Sequence, residues 1–347
     1  MQKKNIAILF GGCSSEYAIS LQSAYAVLTH MDTQQYQPIC IGITRQGHWL
    51  LYEGDFCHLL DDTWQQQTAC TPAILSPDRV ERGILAFRSE IPDKITIDAA
   101  FPVLHGKNGE DGTIQGLLEL AGIPIIGCGV SASALGMDKD LSHTLAQAAG
   151  VAVPNSIVLY ETDKSIALQR CQGLCYPLFV KPAREGSSFG ITKVETSDQL
   201  LPAIDQAFQY DHKIVIEENV PGFEVGCAIL GSGDQLTIGE VDEIQLTQGW
   251  LDYQEKYQER TAQVFVPARI PAETADRIKA AAVAIYQALQ CSGFARVDLF
   301  LTPQNQIVFN EVNTTPGLTT HSRYPNMLAA AGISFEEMLQ RLFQQVV

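Results

Sequence analysis

Residues 5–10 are strand-like, with an unbroken apolar run over 6–10, residues 20–29 carry apolar positions at helical spacing, and residues 38–44 and 97–104 are again strand-like. That alternation predicts a doubly wound α/β unit with parallel strands over residues 1–132. Residues 52–89 follow neither period and are expected to be an irregular surface elaboration. After Met137-Asp-Lys139 the pattern predicts a helix that stops at Gly150, and Val151-Ala-Val-Pro154 resumes extended chain. A compact set of strands and helices follows. Farther on, Ala275, Ile278, Ala282, Ile285 and Leu289 fall on one face of a helix over residues 272–290. The resulting division is 1–132, 133–213 and 214–347, without repeats or low-complexity segments.

Two strand pairs carry chemistry. The first runs Phe294-Ala-Arg296-Val-Asp298-Leu-Phe300 and then Gln306-Ile-Val-Phe-Asn310-Glu311-Val-Asn313. Alternation puts Arg296 and Asp298 on one face of their strand, and Glu311 and Asn313 on one face of theirs. Carboxylate and amide oxygens without sulfur or a histidine pair suit magnesium bridging to phosphates. A solvated polar hairpin is the plain alternative. The second pair, Tyr176-Pro-Leu-Phe-Val-Lys181-Pro-Ala-Arg-Glu-Gly186-Ser187-Ser188-Phe-Gly190, reads as strand, flexible turn, strand. Small residues at such a tip let backbone N–H groups and hydroxyls approach phosphate oxygens, and Lys181 closes the strand beside them. Neither a Walker sequence nor a dinucleotide glycine fingerprint is present.

Composition narrows the partners. A chain of 347 residues, 46% hydrophobic and 18% charged, has enough apolar content for two or three cores. Its net charge of −16 disfavours nucleic acid and anionic membranes, so phosphate must be met by local cations and metal. The N-terminus lacks the pattern of a signal peptide and no segment is long enough to span a bilayer, which leads us to expect a cytoplasmic protein. Nine cysteines at irregular spacing fit reduced, buried thiols and not a zinc site.

Taken in order, these motifs resemble the ATP-grasp family, and within it the D-alanine:D-alanine ligases. The series comprises Phe10-Gly-Gly-Cys-Ser-Ser-Glu16, Leu104-His105-Gly-Lys-Asn-Gly-Glu110-Asp111-Gly, Asp138-Lys139, the Lys181 hairpin, Glu217 to Glu224, Asp252 to Tyr257, Arg296-Val-Asp298, and Asn310 to Ser322. It spans essentially the whole chain, and each motif alone is weak. The resemblance implies an ATP-grasp fold behind an N-terminal Rossmann-like domain, with ATP and two magnesium ions, replaceable by manganese. Lys139, Lys181, Ser188, Glu217, Glu224 and Lys256 would bind ATP, and Asp298, Glu311 and Asn313 the metal. Glu16, Ser187 and Tyr257 would organise the first D-alanine under a lid over residues 250–257. Arg296 and the N–H of Gly317 would stabilise an oxyanion, and His105, Ser322 and Arg323 would meet the amino acids. A homodimer is what the family suggests.

The position of Arg323 departs from the commonest pattern, where an apolar residue stands. Guanidinium donors favour a hydroxyl or carboxylate, and Glu255-Lys256-Tyr257 argues against the branch that uses lactate. This favours D-serine, and the long middle section and the run Ser322-Arg-Tyr-Pro-Asn-Met-Leu resemble the VanG-type D-alanine:D-serine ligases of vancomycin resistance, which implies a dipeptide precursor of peptidoglycan as product. An ordinary D-alanine:D-alanine ligase, in which Arg323 makes only a structural contact, is the competing expectation. An ATP-binding sensor would have lost one of Arg296, Asp298, Glu311 or Asn313, and all four are present.

Overall fold

The computed structural model describes residues 3–186, 189–246 and 262–346. The first sheet contains β1 (Lys4–Gly11), β2 (Tyr36–Ile43), β3 (Trp49–Tyr52), β4 (Cys70–Leu75), β5 (Gly83–Ala86), β6 (Asp93–Thr96) and β7 (Ala99–Pro102), in the order β6-β5-β4-β3-β2-β1-β7. Ile6 to Phe10 are fully buried on both sides of β1, which explains their unbroken apolar run. β1 pairs in parallel with β2 and β7 as expected. The helix Tyr17–His30 covers one face with Tyr17, Leu21, Ala24 and Val27.

From β2 outward the pairing is antiparallel, and this corrects the expectation for residues 52–89. They extend the sheet through β4 and β5 and supply Trp64, wholly buried and edge-on to Phe10 with ring centroids 5.1 Å apart. These strands are four to six residues long, and only Ala73, Leu75, Gly83, Ile84 and Ala86 are buried along them, too few to establish a period.

Gly11 ends β1 at φ +87°, and a Cβ there would lie 2.2 Å from the Ile43 carbonyl oxygen. Left-handed backbone and overpacking each penalise a side chain. Gly11→Ala should therefore cost about 3 kcal/mol, read by urea unfolding. An unchanged midpoint would remove this turn from the account of how Glu16 is placed.

A second sheet contains β8 (Ser156–Tyr160), β9 (Leu178–Pro182), β10 (Thr192–Val194) and β11 (Lys213–Glu218), all antiparallel, in the order β10-β9-β11-β8. A third contains β12 (Phe223–Ser232), β13 (Gln235–Ile238), β14 (Asp242–Leu246), β15 (Ala262–Phe265), β16 (Phe294–Leu301) and β17 (Ile307–Asn313). Its order is β15-β14-β12-β16-β17, with β13 also on β12. The helix Ala272–Ala288 turns Ile278, Ala282, Ile285 and Tyr286 onto β12 and β16. One core joins Ile8, Phe10 and Leu21 to Met327, Leu339 and Phe343, so the last helices pack on the first sheet. Among the described residues no helix is long and apolar enough to cross a membrane.

Candidate active site

β16 and β17 set Arg296 opposite Asn313 and Asp298 opposite Glu311. The register then shifts, leaving Asn310 as an extra residue. Asp298 is 1% exposed. It accepts from Arg296 Nε at 2.8 and 3.1 Å, from Arg296 Nη2 at 2.8 Å and from Asn313 Nδ2 at 2.9 Å. Burial opposes the charge on Arg296, yet Asp298 outweighs it and the guanidinium is held protonated more firmly than usual. Asp298 engages Nε and Nη2 but not Nη1. The pair of strands therefore brings Asp298, Glu311 and Asn313 to one place. Two carboxylates and an amide oxygen, all hard donors, fit a divalent cation that prefers oxygen. Among the described residues no three His, Cys, Asp or Glu form such a set, because the third donor here is an amide.

Across the cleft, Lys181 on β9 pairs with Glu217 on β11, Nζ to Oε2, at 2.5 Å. Burial would raise the Glu217 pKa, but the Lys181 and His143 charges reverse this and it lies below the usual range. Lys139 opens the helix Lys139–Ala148, whose N-cap Asp138 accepts from the Leu141 N–H at 3.2 Å. Lys139 is 7% exposed and its ammonium donates to the Glu185 carbonyl at 2.7 Å, just ahead of residue 187. The two lysines thus flank the Lys181 hairpin. Ser187, Ser188, Lys256 and Tyr257, and the expected lid over residues 250–257, lie outside the described residues.

Glu16 approaches two glycines closely. A Cβ on Gly106 would stand 2.5 Å from its Oε2 and one on Gly186 would stand 3.1 Å away. Side chains at either position would displace the carboxylate. Next to it, His105 Nδ1 is 2.7 Å from the Thr315 carbonyl and Nε2 is 3.3 Å from Ser23 Oγ. A carbonyl only accepts, so Nδ1 carries the proton and Nε2 receives the Ser23 hydroxyl. Ser23 Oγ in turn accepts from Leu318 N–H at 3.1 Å, while Glu110 accepts from Thr315 N–H at 2.9 Å and Gly106 N–H at 2.7 Å. Three backbone groups around Gly317 are thereby pinned from the N-terminal part of the chain. Both His105 nitrogens are committed to protein, so the expected substrate contact becomes a brace for the loop that carries Gly317.

Burial, reinforced by the Glu16 charge, overrides the two N–H donors and pushes Glu110 up to about 8. The folded state then keeps a proton that the unfolded chain releases near 4.5. This contribution to stability is present below that value and is lost as pH rises through 8. In urea unfolding, wild type should lose stability relative to Glu110→Gln between pH 5 and pH 9. A constant difference would contradict the shift.

Ser322 precedes the helix Arg323–Ala330, and a Cβ on Gly317 would lie 2.8 Å from Ser322 Oγ. Arg323 is more constrained than expected. Its Nε and Nη2 hold Asp242 at 2.7 and 2.8 Å, and Nη1 reaches Glu224 at 2.7 Å and Asp298 at 3.3 Å. The picture of several donors offered to a second substrate is corrected accordingly: acidic neighbours hold most of them. Glu224, expected to bind ATP, accepts from Arg323 Nη1 through Oε1. Gly226 makes room, since a Cβ there would be 2.5 Å from Nη2. Asp242, Ser23 and His143 were not among the candidates read from the sequence.

Glu16, His105, Lys139, Arg296, Glu311, Asn313, Gly317, Ser322 and Arg323 all line one cavity of about 630 Å³. Its contents are complementary: a carboxylate wall, fixed cations and a backbone N–H loop. That combination can hold a zwitterion beside a phosphorylated nucleotide.

Residues 5–128 match the family described as "D-ala D-ala ligase N-terminus", and residues 145–344 match "D-ala D-ala ligase C-terminus". The chain is 46% identical over 346 residues to the vancomycin B-type resistance protein VanB of Enterococcus faecalis, covering 99% of this chain and 98% of that protein. It is 39% identical to D-alanine–D-alanine ligase A of Escherichia coli K12, covering 99% and 96%. Among solved structures, VanG D-Ala:D-Ser ligase from Enterococcus faecalis superposes with a TM-score of 0.94 at 50% identity, covering 100% of both chains. Full-length matches at this identity, together with the geometry above, make the chain a member of the D-alanine–D-alanine ligase family, ATP-dependent peptide-forming ligases of the ATP-grasp fold.

Proposed function

We propose that this ligase joins D-alanine to D-serine through a D-alanyl phosphate, giving a dipeptide precursor of peptidoglycan that confers glycopeptide resistance. The likeness to VanG D-Ala:D-Ser ligase over the whole chain supports the D-serine reading. Arg323 in the cavity wall supports it further, since it makes that wall polar where a methyl group would favour an apolar one. Because acidic partners hold this guanidinium, a plain D-alanine:D-alanine ligase is the second reading.

Glu16 holds the ammonium of D-alanine, and Lys139 and Lys181 neutralise the phosphates of ATP. Asp298, Glu311 and Asn313 would hold two magnesium ions, or manganese in their place. When bound, they supply positive charge at the phosphate oxygens. The D-alanine carboxylate attacks the γ-phosphate as its bond to the β-phosphate oxygen breaks and ADP leaves, a step that depends on alignment and charge neutralisation. The amine of D-serine, in its unprotonated form, then attacks the acyl carbon, Arg296 with the Gly317 N–H receives the developing oxyanion, and its collapse expels inorganic phosphate while the new peptide nitrogen loses a proton. Roles for Ser187, Ser188, Lys256 and Tyr257 rest on the resemblance. The division at residues 132 and 213, a homodimer and a cytoplasmic setting complete the proposal.

Phosphate release from ATP with magnesium tests it. D-alanine plus D-serine should stimulate release several-fold over D-alanine alone, whereas L-amino acids should not. Equal rates with L- and D-amino acids would overturn the reading.

A further inference from the structure

Lys213 opens β11 and is 6% exposed, a buried cation that no step above uses. Its ammonium meets two carboxylates, Asp138 at 2.8 and 3.0 Å and Asp140 at 2.8 Å. Burial opposes the charge, but the two carboxylates outweigh it and hold Lys213 protonated more firmly than usual. An ion pair taken out of water adds little net stability over apolar side chains of the same volume. What it supplies here is position.

The two carboxylates stand on either side of Lys139 in the chain. Asp138 Oδ1 accepts both from Lys213 Nζ and from the Leu141 N–H that it caps, so the first turn of the helix Lys139–Ala148 is tied to the start of β11. The Lys139 N–H donates to the Ala183 carbonyl at 3.0 Å, and the Ala183 N–H donates to the Lys213 carbonyl at 3.0 Å. Asp211 closes the ring. It takes Arg184 Nε at 3.0 Å and Nη2 at 2.6 Å, and accepts from the Lys213 N–H at 3.1 Å. Arg184 directly precedes Glu185, whose carbonyl receives the Lys139 ammonium. The backbone and the ammonium of Lys139 are therefore both located by contacts that return to Lys213.

We propose that Lys213 is a positioning residue for ATP, acting through Asp138 to hold the Lys139 ammonium where the phosphates bind. This rests on the phosphate role given to Lys139. Lys139 and Glu185 line the cavity, whereas Lys213 is not among its described lining residues, so any effect of Lys213 on the nucleotide passes through them. The physical gain is preorganisation: a lysine stem is flexible, and fixing it beforehand lowers the ordering cost of binding.

Equilibrium binding of ATP with magnesium to wild type, Lys213→Met, Lys139→Met and the double variant tests this. Lys213→Met should weaken ATP about tenfold, the worth of one charge-assisted hydrogen bond left misaligned. In the Lys139→Met background the same change should weaken ATP by less than about twofold, since no ammonium remains to be positioned. Lys213→Arg can grip both carboxylates with its fork and should stay within about threefold of wild type. If Lys213→Met does not fold, Asp138→Asn replaces it in the cycle, because the amide oxygen keeps the Leu141 cap while the charge that holds Lys213 is gone. Equal losses with and without Lys139 would make Lys213 a purely structural residue and overturn the proposal, as would unchanged ATP affinity in either single variant. D-alanine-dependent phosphate release by wild type tests the ligase reading separately, so the proposal can fail in an enzyme that still turns over.

Discussion

Arg296→Ala is expected to lower kcat by about 10²–10³-fold, the loss measured when one preorganised oxyanion donor is removed. ATP affinity should remain within about threefold. The expectation follows from where the guanidinium is tied: Asp298 fixes Nε and Nη2 in a bidentate grip, and Nη1 lies outside that grip. Orientation is thus set before substrate arrives. Arg296→Lys should recover little, because an ammonium cannot hold Asp298 by two parallel bonds. Stopped-flow nucleotide binding alongside steady-state kinetics separates the two effects. A variant that loses ATP affinity with kcat intact would assign Arg296 to nucleotide binding.

The second large effect concerns stability. Arg323→Leu should destabilise the fold by about 3–5 kcal/mol, as breaking one side of a buried ion pair does. Asp242 is fully buried and would lose both of its guanidinium bonds, while Glu224 would lose a third. The charges left behind dominate this cost. The same variant should lower catalytic efficiency for D-serine relative to D-alanine by about tenfold or more. Thermal unfolding and paired kinetics on the two amino acids read both. A stable variant with an unaltered ratio would detach Arg323 from fold and selectivity alike.

Much of the site was legible because its residues alternate along regular strands. Arg296, Asp298, Glu311 and Asn313 are placed by period two and by antiparallel pairing, so their convergence follows from local pattern. The bulge at Asn310 was not legible, since it changes register without an unusual residue. Nor were the partners that act at a distance. Ser23 reads as one small residue in a helix, and its role depends on Leu318, 295 positions away. Asp242 acquires meaning only when Arg323 folds back 81 positions onto it. The outer strands of the first sheet were missed for a related reason: β5 and β6 are four residues each and gain their stability from neighbours.

The most direct measurement is the identity of the product. With ATP, magnesium and equal concentrations of D-alanine and D-serine, mass spectrometry should find D-alanyl-D-serine in clear excess over D-alanyl-D-alanine. Exclusive formation of D-alanyl-D-alanine would contradict the assigned second substrate, and absence of any D-alanine-dependent dipeptide would contradict the catalytic cavity itself.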